Sequence, residues 1–395
     1  MAKRDDVRLL LLEPQCRGWE HVPFNLALLR TAQLASRSRQ LCFAAEAAHL
    51  SAVKKAWADK AFDGVEPQWR EIAVPPRQLY GWGRLLAERT AMSGWIEQVQ
   101  DLRPDAVILT SLTPNLMLLL KTLYRRGLPG VRRVIAIPHQ NLEGVRYPYR
   151  WDRFWRLPLH MRTALCEFQP DWLRVMVLGQ SLLQASREVL GEQRVKDWAV
   201  LDHPYLFEDQ PEREHNTSAP LTFGYFGCNM DGLRHFATLS EAVRPGNDRV
   251  RFLLAGFAGP DLAKPLWVEG WGNRPLDDEE YRRRGRQFDY AVWTTSPDLY
   301  KFTASAAFLD ALLYGKPLIY VGNRFIDYYV GQAGEIGYRV ERVEDMKDVI
   351  SRLASGHVAG GTFAANMAAL KIRFSPESQA RALERILYGE KPGRP

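Results

Sequence analysis

Residues 289–321 read DYAVWTTSPDLYKFTASAAFLDALLYGKPLIYV, and this stretch decides the fold. The apolar run 290–293 suits a buried parallel strand, and 294–301 is loop-like and free of glycine. Thr303 or Ser305 is placed to cap a helix running to about Tyr314. Gly315 supplies the positive φ that ends a helix, Lys316 suits its negative end, and Pro317 blocks continuation before a second strand over 318–321. In parallel sheets built from such units, ligands lie beyond the carboxyl ends of the strands, where helix N-termini aim N–H groups at anions. The loop carrying Tyr300, Lys301, Thr303 and Ser305 falls in that place.

The same alternation extends in both directions. Upstream in the second half, strands are expected at 222–226 and 251–255 with helices near 233–243 and 277–286, and a further helix follows at 343–353. The first half opens with a strand over 7–12, a loop over 16–23 and a helix over 24–35. It continues with strands at 106–109, 134–137 and 172–178 and helices at 114–124 and 181–190. Alternation of this kind implies α/β architecture with mostly parallel, doubly wound sheets covered by helices. Between the halves, residues 207–220 read FEDQPEREHNTSAP, too polar to bury and suited to a linker. A chain of 395 residues is long for one core. The expected division is therefore a first domain over 1–205, a linker over 206–220, a second domain over 221–370 and a C-terminal helix over 371–395. That helix starts at Ser375-Pro376 and carries a stripe of Ala380, Leu383, Ile386 and Leu387. It either closes the second domain or crosses back to the first.

The net charge of +7 favours anionic partners without choosing among them. Cys16, Cys42, Cys166 and Cys228 are scattered, with no CxxC pair, so reduced thiols are expected and no metal site is read. The opening apolar run is too short for a signal segment, and no stretch approaches the roughly 20 apolar residues of a membrane span. A cytoplasmic location is expected, with peripheral attachment to the inner face of the membrane as its variant.

Order and motif resemble the GT-B glycosyltransferases, in particular the family 4 type. In that family two Rossmann-like domains face an interdomain cleft and the C-terminal one holds a nucleotide-sugar donor. The donor helix there reads approximately Glu, seven residues, Glu, then Ala-hydrophobic-Ala-x-Gly-x-Pro before a strand. DALLYGKPLIY matches its second half, with Asp310 at the second acidic position. The resemblance implies that Asp310 binds the donor ribose. Eight residues earlier stands Phe302, so the acidic residue that would meet the donor sugar is missing. Ser305 and Ala306 open the helix, where small side chains let a diphosphate approach the N–H groups, and Lys301 adds a charge. The turn GYFGCNMDGLRHF brings Gly227 and Asn229 toward a ligand. Related transferases place an arginine after the glycine of this turn and a lysine farther on; here Cys228 follows Gly227, and Arg234 stands for the lysine. No cofactor is implied beyond a UDP- or GDP-type sugar donor, which is a substrate.

In the first half, Glu20 and His21 follow the opening strand, and either residue type can take a proton from an acceptor hydroxyl. His139, in AIPHQNLEG, is the third catalytic candidate; in resembling retaining enzymes a histidine in a comparable place contacts the donor sugar. The tract from Arg146 to Arg162 interleaves arginines with aromatics and suits an anionic membrane surface, single-stranded nucleic acid, or arginine stems packed over aromatics with no ligand. The leading expectation is a hexosyltransferase that moves a sugar onto a glycan or lipid-linked glycan in bacterial surface polysaccharide synthesis. Two alternatives stand beside it: a nucleotide-sugar epimerase of similar fold, and a non-catalytic binder of single-stranded nucleic acid, for which RRM, KH and helix-turn-helix text is lacking.

Overall fold

The computed structural model describes residues 8–36, 40–147, 160–208, 220–357 and 361–389. The chain divides into two compact units. One comprises Met1–Leu206, Phe302–Ala304 and Phe374–Pro395, the other Phe207–Lys301 and Ser305–Arg373.

The first unit is built on a seven-stranded parallel sheet: β1 (Arg8–Leu12), β2 (Gln40–Ala45), β3 (Gln68–Glu71), β4 (Ala106–Leu109), β5 (Arg133–Ala136), β6 (Leu173–Val177) and β7 (Ala199–Val200), in the order β3-β2-β1-β4-β5-β6-β7. Leu10 of β1 lies in register with Cys42 on one side and Val107 on the other, so β1 is central and its four leucines are buried. That burial on both faces is why the strand reads as a solid apolar run rather than an alternating one. The helix Val22–Ser36 covers one face with Phe24, Leu28 and Leu29. The helix Pro376–Tyr388, capped by Ser375, packs against it with Leu383, Ile386 and Leu387 in the same core. Arg133 seals the end of this last helix by donating to the carbonyls of Ile386 and Leu387 at 2.6 Å each. The C-terminal stripe thus belongs to the first unit's core, where each buried leucine or isoleucine contributes about 1.5–3 kcal/mol.

The second unit carries a six-stranded parallel sheet: β8 (Leu221–Gly227), β9 (Val250–Gly256), β10 (Val268–Glu269), β11 (Tyr290–Trp293), β12 (Leu318–Val321) and β13 (Gly337–Val340), in the order β10-β9-β8-β11-β12-β13. Its core gathers Phe223, Phe236, Phe252, Val292, Ile319 and Ile350. The helix Asp278–Gln287 is capped by Asp277, whose side chain accepts from the Glu280 amide. In each sheet the chain runs outward from a central strand and then reverses to the other side of it. The two reversal points, between β1 and β4 and between β8 and β11, are where crevices open beyond the strand ends.

Several elements were not expected from the text. The helices Ala47–Lys60 and Gly81–Leu102, the strands β2, β3 and β13, and the helices Arg324–Ala333 and Phe363–Phe374 all form. The segment Gly81–Leu102 contains three glycines, which lower helix propensity, and it is held by the tertiary burial of Met92, Trp95, Ile96 and Val99.

Candidate functional site

In the second unit, the loop after β8 and the loop after β11 are fastened together. Asn229 caps the helix Met230–Val243 by accepting from the Gly232 amide, and Ser305 caps the helix Ala306–Leu313 by accepting from the Phe308 amide. Tyr300, in the loop after β11, lies near enough to both capping side chains, Asn229 and Ser305, for each to favour its ionised form. Burial pushes the Tyr300 phenol up to about 12, Cys228 acting in the same direction, so it stays protonated. The phenol near these two positive helix ends is therefore neutral and adds no charge that would compensate them.

Gly227 sits at this point with φ +95°, and no heavy atom lies within 4 Å of where its side chain would begin. Backbone conformation, not crowding, keeps glycine there, and the backbone is open to a ligand's approach. Cys228, the next residue, is exposed, as is Ala306 at the start of the second helix. Asp231, which the sequence reading passed over, takes the Ser296 amide at 2.9 Å and so ties the second loop to the first turn of the helix after β8. From the other side, Asn323 donates to the Leu299 carbonyl at 2.9 Å. An acidic residue in a helix's first turn was the available signal for Asp231.

The remaining candidates of this unit fall differently. Asp310 is nearly buried and accepts the Tyr281 hydroxyl at 2.7 Å, so it is no freely solvated helix residue. Lys301 is partly buried. Arg234 is exposed beyond the first turn of its helix. Thr303 groups with the first unit, next to the fully buried Phe302, and not with Tyr300 and Ser305.

The first unit brings His21 and His139 together, their rings 4.3 Å apart. Phe24 lies against His139 at 4.7 Å and against His203 at 4.8 Å. Burial lowers the pKa of all three histidines, and that of His203 falls to about 4; mutual repulsion deepens the effect at His139. Both His21 and His139 adopt positive φ, +54° and +47°. Neither ring nitrogen of His139 has a hydrogen-bond partner, although both are shielded from solvent. Orphaned buried imidazole nitrogens at a strand end are groups poised for a ligand's hydroxyls. Glu20 fits the role of base poorly. Its carboxylate is already taken up by Arg77 at 2.5 Å and by the Arg17 amide.

Beneath this loop lies a network the sequence reading missed. The carboxylate of Glu13 is fully buried and accepts from the amides of Gln15 and Cys16, from Asn25, from Thr110 and from Ser111. Burial raises its pKa, but these hydrogen bonds outweigh burial and the net shift is downward. His49 accepts from Asn25 through Nε2 and donates through Nδ1 to the Gly18 carbonyl, each at 2.9 Å. The network fixes the loop that carries His21. Only the position of Glu13, directly after a buried strand, hinted at it.

Among the described residues, no group of three or more His, Cys, Asp or Glu side chains is placed to hold a metal ion. All four cysteines are free thiols. Residues 148–159 of the arginine-aromatic tract lie outside the described residues; at its edges Arg146 pairs with Glu143 at 3.0 Å and Tyr147 stacks on His160. Among the described residues no helix is long and apolar enough to cross a membrane.

Two Rossmann-like units in succession, each with its reversal point at the first strand, define the GT-B fold, and this chain has it. Solved structures of similar architecture include Anabaena Alr3699/HepE in complex with UDP-glucose, with a TM-score of 0.64 at 13% identity over 96% of this chain and 99% of that one. The lipopolysaccharide outer core galactosyltransferase WaaB, in its apo form, gives a TM-score of 0.58 at 12% identity over 96% and 98%. A Listeria monocytogenes protein assigned as a UDP-N-acetylglucosamine 2-epimerase gives 0.56 at 13% over 97% and 95%. No protein-family model and no curated protein sequence matches the chain.

Proposed function

We propose that this chain is a glycosyltransferase that takes a sugar from a UDP- or GDP-type donor held by the second unit. The observation that carries the reading is a pair of capped helix N-termini, at Asn229 and Ser305, on two loops that Asp231 ties together through the Ser296 amide, with the open backbone of Gly227 on the first. A departing diphosphate gains negative charge, and preorganised N–H groups there lower the barrier without a proton donor of their own. Ser305 and Ala306 form the first turn that meets the phosphates, Lys301 adds charge, and Asp310, oriented by Tyr281, takes the ribose. In the first unit His139 and His21 supply the neutral imidazoles for the sugar and the acceptor hydroxyl. The acceptor is a glycan or lipid-linked glycan of a bacterial surface polysaccharide, met at an anionic membrane surface with help from the Arg146 to Arg162 tract. The fold of HepE, solved with UDP-glucose, is consistent with this donor class.

Thermal-shift titration with UDP, GDP and their sugars tests the reading, because a ligand of the folded state raises its Tm by mass action. One nucleotide is expected to raise Tm in the native chain and to lose that effect in Lys301→Ala/Asp310→Ala. Absence of a shift with every nucleotide, or full binding by the double variant, rejects it. The likeness to the Listeria epimerase supports a second reading, and turnover of the nucleotide sugar with no acceptor present would favour that one.

A further inference from the structure

Beyond the carboxyl ends of β5 and β6 the first unit holds a small hollow. Its walls are Leu142, Val177, Leu178 and Leu182, all buried, together with Ala304 from the short segment Phe302–Ala304 that groups with this unit. The polar side chains that reach it are His139 and Thr303. There is room for one group the size of a water molecule or a methyl. His139, Thr303 and Ala304 are partly exposed, so the hollow opens on their side.

Protein interiors are close-packed, and a water placed in such a void needs several polar partners, which aliphatic walls do not offer. An apolar group suits the hollow better. His139 asks for something else. Neither of its ring nitrogens has a hydrogen-bond partner, although both are shielded from solvent. A neutral imidazole presents one N–H donor and one bare nitrogen that accepts, and each costs free energy while unmet. Burial, with His21 and His203 nearby, holds this ring neutral, so it has no charge with which to pair a carboxylate or a phosphate. A hydroxyl would answer one nitrogen and leave the hollow empty. An acetamido group answers both needs: its carbonyl accepts, its N–H donates, and its methyl is apolar and of the right size.

We infer that the sugar met by His139 is an N-acetylated one, its acetamido methyl seated among Leu142, Leu178, Leu182 and Ala304 and its amide hydrogen-bonded to the imidazole. The inference rests on the glycosyltransferase reading, which brings a sugar to His139. The acetamido sugar is that of the donor or that of the acceptor, and the two sources are told apart by experiment.

Thermal-shift titration of the full chain with matched sugars tests it. The donor arm sets UDP-N-acetylglucosamine against UDP-glucose and UDP-N-acetylgalactosamine against UDP-galactose. The acceptor arm sets the methyl glycosides of N-acetylglucosamine and N-acetylgalactosamine against those of glucose and galactose, with UDP or GDP present. Within each pair the acetamido group is the one difference. In one arm the native chain is expected to bind an N-acetylated member about tenfold tighter than its parent, the discrimination a methyl-sized group commands in an apolar pocket. Ala304→Val, which widens a wall side chain into the hollow, should remove most of that preference. Equal affinity within every pair, while a nucleotide still raises Tm, overturns the inference and leaves the transferase reading standing. So does a preference that Ala304→Val leaves untouched in a chain of native Tm. A response to no nucleotide at all rejects the transferase reading and this inference with it.

Discussion

The phenol of Tyr281 donates to the carboxylate of Asp310 across 2.7 Å, from the helix Asp278–Gln287 to the helix Ala306–Leu313. A nearly buried carboxylate needs donors, and this one also fixes which way Asp310 points. Tyr281→Phe is therefore expected to lower stability by about 1–3 kcal/mol in urea unfolding. It should also weaken UDP or GDP binding less than Asp310→Ala does in the same titration. Equal loss in the two variants would mean that Asp310 acts only as a structural acceptor.

The carboxyl ends of β8 and β9 touch backbone to backbone. A methyl group on Gly256 would fall 1.8 Å from the Gly227 carbonyl oxygen, whereas at Gly227 there is space but φ is +95°. Gly227→Ala should cost about 1–3 kcal/mol through backbone strain. Gly256→Ala should cost more, because β9 must shift. Thermal unfolding of both variants ranks them, and the reverse order would contradict the close approach.

Glu13 holds five donors in a site without solvent. Glu13→Ala strands several of them at once, at about 1–3 kcal/mol for each left unsatisfied. The expected result is loss of at least about 3 kcal/mol by denaturant titration, together with faster proteolysis of the loop carrying His21.

Acid should destabilise the first unit before its carboxylates titrate. Folded His21, His139 and His203 have lowered pKa values, with His203 at about 4, while unfolded histidine protonates near pH 6.5. Between those limits the unfolded chain binds more protons, so the stabilisation is complete above about pH 6.5 and is lost as pH falls toward about 4. The slope is about 1.4 kcal/mol per pH unit for each histidine that stays neutral. His203→Gln should reduce it by about one third in unfolding experiments spanning pH 7 to about 5. A slope unchanged by that substitution would place the titration elsewhere.

The sequence by itself determined the class of fold and much of the second unit. Solid apolar runs such as 9–12 and 318–321 belong to strands buried on both faces. Asp277, Ser305, Ser375 and Gly315 punctuate helices by local hydrogen bonding and backbone sterics. These are short-range effects, written where they act. The glycine-interrupted helix Gly81–Leu102 escaped notice because its stability comes from burial against other elements.

Only the tertiary structure decided which groups meet. Nothing local could join Glu13 to Ser111, or Asp231 to the Ser296 amide. Nothing local could turn Glu20 into an ion pair or bring His139 beside His21, 118 positions away. The C-terminal stripe of Leu383 and Ile386 was legible as a face needing a partner, but an amphipathic helix does not name its partner. That choice was made by the apolar surface of the helix Val22–Ser36 and by the Arg133 guanidinium waiting at its end.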